Sequence, residues 1–260
     1  MERFRSRSVR RFMPTCDIIR ISYRKDLTWL YYSTKLLLKN WQTDSRIIIR
    51  VDDDCRETVE GWDLGPKVIY RYVTPWPDGY TQQMYLKMIS DDVSDADLLM
   101  LCDSDLYLYE PASLDLLMHD GKPIVEYCEW HLGDPVAERV WRGPTSRVMG
   151  MDLDRDYMVQ SPFLFWRDTF CKTRQHIVNV TGRGFYESVY SGVPFRPENF
   201  LSHPVTFSEH EALNLYAVKF QGDRYHLRRN TERPANWPFR LYWSHGDWCE
   251  DVAQRILTSL

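Results

Sequence analysis

The chain has 260 residues, 43% hydrophobic and 27% charged, with a formal net charge of −4 at pH 7. That is the composition of an ordinary globular protein able to bury a core, and the acidic balance disfavours a dedicated nucleic-acid binder. No run approaches the ~20 apolar residues of a membrane-spanning helix, and the start MERFRSRSVRRF has no apolar segment behind its five arginines, which argues against a secretory signal.

DIIRIS (17–22) reads as a short strand, and a helix is expected over Leu27–Asn40. RIIIRVDDD (46–54) is β-branched and apolar and ends in three aspartates, and KVIYRYV (67–73) alternates as a strand does. After the turn-rich PWPDG (75–79), YTQQMYLKMISDDV (80–93) reads as a helix with Met84, Leu86, Met88 and Ile89 apolar. DLLMLCDSD then gives a continuous apolar run, the mark of a strand buried on both faces.

This order predicts an α/β fold in which a mostly parallel central sheet is flanked by helices. In such sheets ligands bind beyond the carboxyl ends of the strands. Two strands here end in acids, at Asp52–Asp54 and at Asp103 and Asp105.

The second half is mixed. KPIVEYCEW (122–130) reads as a strand and RGPTSRVMGM (142–151) as a mobile loop. SPFLFW (161–166) leads into a helix over 167–178, and FSEHEALNLYAVKF (207–220) is a marked helix. LYWSHGDW (241–248) is a late strand ending at His245. The six cysteines form no CxxC pair, so reduced, mostly buried thiols and a cytoplasmic setting are expected, with no zinc site. Arg224, Arg228, Arg229, Arg233 and Arg240 crowd one stretch and suit a solvated face or an anion site.

Asp103-Ser104-Asp105 has two readings. Asp and Ser are turn residues. Alternatively, positions i and i+2 of an extended chain face one side, and two carboxylates there suit Mn²⁺ or Mg²⁺ bound with substrate phosphates. A buried strand before the motif and a second aspartate cluster about fifty residues earlier favour the metal.

SYRKD, VDDD, YTQQMYLK and LCDSD, in that order, resemble a GT-A-type glycosyltransferase. More narrowly, the chain is similar to small glycosyltransferase-like proteins that share a Tyr-Lys/Arg-Lys/Arg-Asp start, a Gln…Lys helix, a D-x-D, an S-P-x-x-Phe/Trp segment and a late S-E-x-E helix. SPFLFW and SEHE (208–211) match the last two. The resemblance implies a GT-A domain over 17–250, with a nucleotide-sugar half to residue 120 and an acceptor half from 121. A basic arm (1–16) and a C-terminal tail (251–260) flank it. Residues 129–160 have no counterpart in the pattern, so the acceptor stays open.

What the resemblance implies is metal-dependent transfer of a sugar from a nucleotide-diphosphate sugar to a hydroxyl. Tyr23 and Arg24 would lie under the nucleotide, Asp52 or Asp53 would bond its base or ribose, and Gln82 and Lys87 would face the sugar. Asp103 would contact ribose or metal, and Asp105 and His245 would ligate the metal. Ser208 and Glu211 are explained as a capping box, leaving Glu209 in the first helical turn as the candidate general base. The acceptor would be a glycan, a glycoside or a hydroxymethylated DNA base of viral type. Glu126, Glu129, His131 and Asp134 are further candidates for its cleft, Trp130 and Trp141 for stacking, and Arg228 and Arg229 for the diphosphate. The rivals are a nucleotidyltransferase, disfavoured because SYRKD carries no glycine, and a nucleotide-sugar-binding module without turnover.

Overall fold

The computed structural model describes residues 14–133, 138–159, 161–199, 202–204, 206–242 and 250–260. Its strands are β1 (Cys16–Ile21), β2 (Ile47–Asp52), β3 (Val68–Val73), β4 (Leu98–Leu101), β5 (Leu106–Leu108), β6 (Met118–His119), β7 (Lys122–Tyr127), β8 (Phe163–Trp166), β9 (His226–Arg229) and β10 (Phe239–Leu241). The α-helices are α1 (Leu27–Asn40), α2 (Arg56–Glu60), α3 (Gly79–Met88), α4 (Gly143–Met149), α5 (Arg167–Thr181), α6 (Phe185–Val189), α7 (Glu209–Phe220) and α8 (Glu250–Ser259).

The fold is α/β, with a five-stranded sheet in the order β3-β2-β1-β4-β8. β1 to β4 run parallel and β8 closes the edge antiparallel to β4. Alternation sorts the strand residues onto two faces. Ile19, Ile21, Ile48, Leu99 and Leu101 pack with residues of α3, α5 and α7, while Ile18, Ile47, Ile49, Leu98 and Met100 pack with Leu30 and Leu37 of α1 and Val59 of α2. Helices on both faces explain why these strands read as unbroken apolar runs. Two smaller sheets stand beside the main one, β10 with β5 and β6-β7-β9. Among the described residues no helix is long and apolar enough to cross a membrane.

Two arginines interrupt the apolar strands, and each completes another element. Arg50 of β2 donates from Nη1 to the carbonyls of Leu86 (3.0 Å) and Ile89 (3.4 Å). The last carbonyls of a helix lack partners of their own, and a cation suits that end of the dipole. Burial pulls the Arg50 guanidinium down to about 10. α3 accordingly stops at Met88, short of the Val93 expected from sequence, and a 3₁₀ turn covers Ser90–Asp92.

Two sequence expectations change. The stretch 142–151 contains a helix: Gly143–Met149 is helical, with Thr145 and Met149, one turn apart, both buried. Its Pro144 stands in the first turn, where a missing N–H costs nothing. Gly150 ends α4 in the left-handed region (φ 63°), and a Cβ there would meet Val180 at 2.9 Å. No other residue fits both demands. The C-terminal tail is also a helix, with Ile256 fully buried against the group of Trp29, Leu36 and Tyr107.

Candidate functional site

The order of the main sheet reverses between β1 and β4, and ligands of doubly wound sheets lie at the carboxyl ends of such a pair. Asp103-Ser104-Asp105 follows β4 at this edge. The stretch is a turn, closed by the Leu106 N–H donating to the Asp103 carbonyl at 3.2 Å. The chain turns there and does not run extended, as the same-side spacing had assumed. Asp103 is drawn to Lys87, whereas Asp105 exerts its charge on Tyr23.

Arg20 holds this turn from below. It is fully buried near the carboxyl end of β1. It donates at 2.7 Å to each of three oxygens: the Thr34 and Ser33 hydroxyls of α1, and the Asp103 carbonyl. The Ser33 hydroxyl in turn donates to the Ser104 carbonyl at 2.7 Å. A charge inside an apolar strand is the signal of Arg20 in the sequence.

Lys87, on the last turn of α3, is the hub of the site. Its Nζ lies 2.8 Å from Asp103 Oδ1, 2.9 Å from Glu209 Oε1 and 3.0 Å from His210 Nε2. Three acceptors match the three donors of an ammonium. The Lys87 and Glu209 side chains are each 8% exposed and that of Asp103 24%. Burial pulls the ammonium down, but Asp103 and Glu209 outweigh it and hold its pKa above the usual value. Burial pushes Asp103 and Glu209 up, yet Lys87 holds both below the usual carboxylate range. Burial, then Lys87, pull the His210 imidazole down to about 4, so it is neutral at pH 7. With Nε2 facing the ammonium as acceptor, its proton sits on Nδ1. His210 stacks on Phe163 at 4.1 Å. Tyr80, in the first turn of α3, lies within Coulombic reach of Glu209. His210 and Tyr80 gave no sign in the sequence, since nothing in spacing separates them from core residues.

The other predicted donor-site residues fall nearby, with their side chains engaged by the protein itself. Gln82 accepts from the Trp76 N–H (3.0 Å), donates to the Thr74 carbonyl (3.1 Å) and lies near enough to Asp52 to favour its ionised form. It thereby fixes the loop between β3 and α3. Burial, then the Asp54 charge, raise the Asp52 carboxyl above its usual value. Asp53 is exposed and pairs with Arg56 at 2.6 Å, and Arg24 pairs with Asp54 at 3.0 Å. The Tyr23 phenol is pushed up to about 12 by burial, the Asp26 charge and then Asp105. The edge therefore brings Lys87, Asp103 and Glu209 into one cluster, Tyr23 beside Asp105, and Gln82 beside Asp52. His245 and Asp134 lie outside the described residues.

No protein-family model and no curated protein matches the chain. Among the described residues, no group of three His, Cys, Asp or Glu side chains is arranged to hold a metal ion. Lys87 takes one oxygen of Asp103.

The expected capping box forms only by half. Ser208 Oγ accepts from the Glu211 N–H at 3.2 Å, but the Ser208 N–H donates to Thr145 Oγ1 at 3.1 Å. The Glu211 carboxylate turns the other way and accepts from the Tyr157 N–H at 3.0 Å. The arginine-rich stretch is also tied within the protein. Arg228 and Arg233 both bond Glu126, and Arg229 reaches Tyr127 Oη at 3.1 Å and Glu129 at 3.6 Å. Trp130 is core, its Nε1 donating to the Leu153 carbonyl at 2.8 Å, and His131 is exposed. Of the cysteines, Cys16, Cys55, Cys102 and Cys128 are buried free thiols and Cys171 is exposed; Cys249 lies outside the described residues.

Proposed function

We propose that the chain is a glycosyltransferase of GT-A architecture that uses a nucleotide-diphosphate sugar and transfers to a hydroxyl, with Glu209 as the acceptor's base. The observation that supports this is the meeting of Lys87, Asp103 and Glu209 at the switch point between β1 and β4, with Tyr23 and Asp105 at the same edge. Tyr23 offers the nucleotide a half-buried ring to lie against. Asp52 and Asp53 close the β2 side of the crevice for base or ribose. Mn²⁺ or Mg²⁺ would supply charge neutralisation at the diphosphate, with Asp105 and Asp103 as ligands. Lys87 keeps Asp103 and Glu209 ionised, and each is a candidate partner for a substrate hydroxyl. A base must come within hydrogen-bond reach of its proton.

Melting the protein with a panel of nucleotide-diphosphate sugars, with and without Mn²⁺, tests the reading. A ligand selective for the native state raises the melting temperature, by about 2.7 kcal/mol of stability at a hundred times its dissociation constant. Asp105→Asn is expected to abolish the Mn²⁺-dependent part of that rise. No metal-dependent rise with any nucleotide sinks the reading.

The second reading, a nucleotide-sugar-binding module without turnover, is favoured by the burial of Glu209 and its bond to Lys87, which make it a weak base. Glu209→Gln separates the two. Transfer requires loss of at least ~100-fold in product formation with nucleotide-sugar binding retained, whereas a module forms no product in either protein.

A further inference from the structure

Two residues beyond Glu209, the same helix carries a second buried carboxylate that the proposed transfer does not use. Glu211 is fully buried, and Asp156, 5% exposed, lies beside it close enough to act on its carboxyl. Glu211 Oε2 accepts the Tyr157 N–H, but Oε1 receives no N–H or O–H from the protein. Asp156 is held just as firmly. Its Oδ1 accepts the Met158 N–H at 2.8 Å, the Cys128 thiol points to its Oδ2 at 3.7 Å, and its backbone bridges to Cys128 at the end of β7.

The ionisable groups around the pair are few. β7 contributes Cys128, whose thiol is pushed up to about 12 by burial and by Asp156, with Glu129 beyond it. The 154–157 stretch contributes Tyr157, bonded to Asp154, and Arg155, which lies over the Tyr127 ring at 4.3 Å. Among the described residues, no lysine or arginine bonds either carboxylate. Burial, then the Asp156 charge, hold the proton on Glu211, and that proton gives the otherwise unpartnered Oε1 a hydrogen to donate toward Asp156.

We propose that Asp156 and Glu211 hold a single proton between them, and that this shared proton positions the first turn of α7, with Glu209 and His210, against Lys87. The helix start is clamped from two sides. Glu209 and His210 meet Lys87 of α3, and Glu211 meets the 156–158 segment tied to β7. Glu211 is thus a positioning residue, and the inference stands whether or not the site transfers sugar.

The sign of the pH effect follows from linkage. Burial and Asp156 raise the Glu211 carboxyl well above its usual range. A raised acid stabilises fully below its unfolded pKa, near 4.3, and that stability drains as pH rises through the folded value. His210 acts oppositely, but only below about pH 6.5, and thiols of the unfolded chain ionise only near 8.5. The interval from pH 6.5 to 8 therefore isolates the pair. The wild-type melting temperature is expected to fall by roughly 5 °C across it. Glu211→Gln, whose amide donates at every pH, is expected to be flat. Amide exchange over residues 209–212, corrected for intrinsic rate, should quicken with pH in wild type and not in the variant. A flat wild-type curve, or an equal slope in both proteins, overturns the proposal. Where Glu211→Gln does not fold, Asp156→Asn supplies the same permanent donor and gives the same readout.

Discussion

Replacing Lys87 by methionine is expected to cost about 3–5 kcal/mol, the usual effect of removing one partner from a buried ion pair. For a chain of this size that is a drop of roughly 10 °C in melting temperature. The reason is desolvation: methionine fills the space but leaves Asp103 and Glu209 facing each other without a counter-charge, and His210 Nε2 without a donor. The two carboxyls would then be pushed up, so the loss should be largest at neutral pH and shrink toward pH 4, where they protonate. A triple variant, Lys87→Met with Asp103→Asn and Glu209→Gln, is expected to recover most of the stability, because a neutral cluster owes nothing to solvation. Denaturant midpoints across pH measure all of this. A Lys87→Met variant within 1 kcal/mol of wild type at pH 7 would show that the ammonium is not the counter-charge of the site.

The second large effect belongs to Arg20→Met. Hydrogen bonds from a charged donor contribute about 1.5–3 kcal/mol, and they are not additive. Losing three of them in the sheet interior is expected to cost roughly 3–4 kcal/mol in urea unfolding. Stability alone does not distinguish this arginine from any other core residue. Its mark would be local, with Ser104, Asp105 and Leu106 exchanging their amides faster while β1 and β4 keep their protection. If protection of the turn is unchanged, Arg20 supports the sheet but does not hold the site.

The central sheet was legible because period and length carry it. Ile18–Ile21, Ile47–Val51 and Leu98–Leu101 are apolar on both faces but for Arg20 and Arg50, and α1 is expected and found over Leu27–Asn40. Where the sequence misled, a tertiary partner decided the outcome. α3 ends early because Arg50 closes it, and α4 forms because Thr145 and Met149 find a core. Glu211 looked like a helix cap, a local rule, yet it obeys Asp156 and Tyr157, over fifty residues away in the chain. The same holds at the site. D-x-D spacing places two acids near one edge, but it does not foretell the backbone between them, which here is a turn with Asp103 on Lys87. The gathering of Lys87, Asp103 and Glu209 was foreseen only as three separate roles for one substrate, not as a bonded cluster.

The capping of α3 by Arg50 has a consequence for cooperativity. A helix end that is completed by its own residues frays alone, in its own time. The last turn of α3 is held from outside as well, since the guanidinium on the Leu86 carbonyl is anchored in the middle of β2 and the one on the Met88 carbonyl comes from Arg174 of α5. Lys87 sits in that turn. The charge at the centre of the site therefore borrows the rigidity of the innermost layer, and it can leave its place only when strand and helix open as one unit.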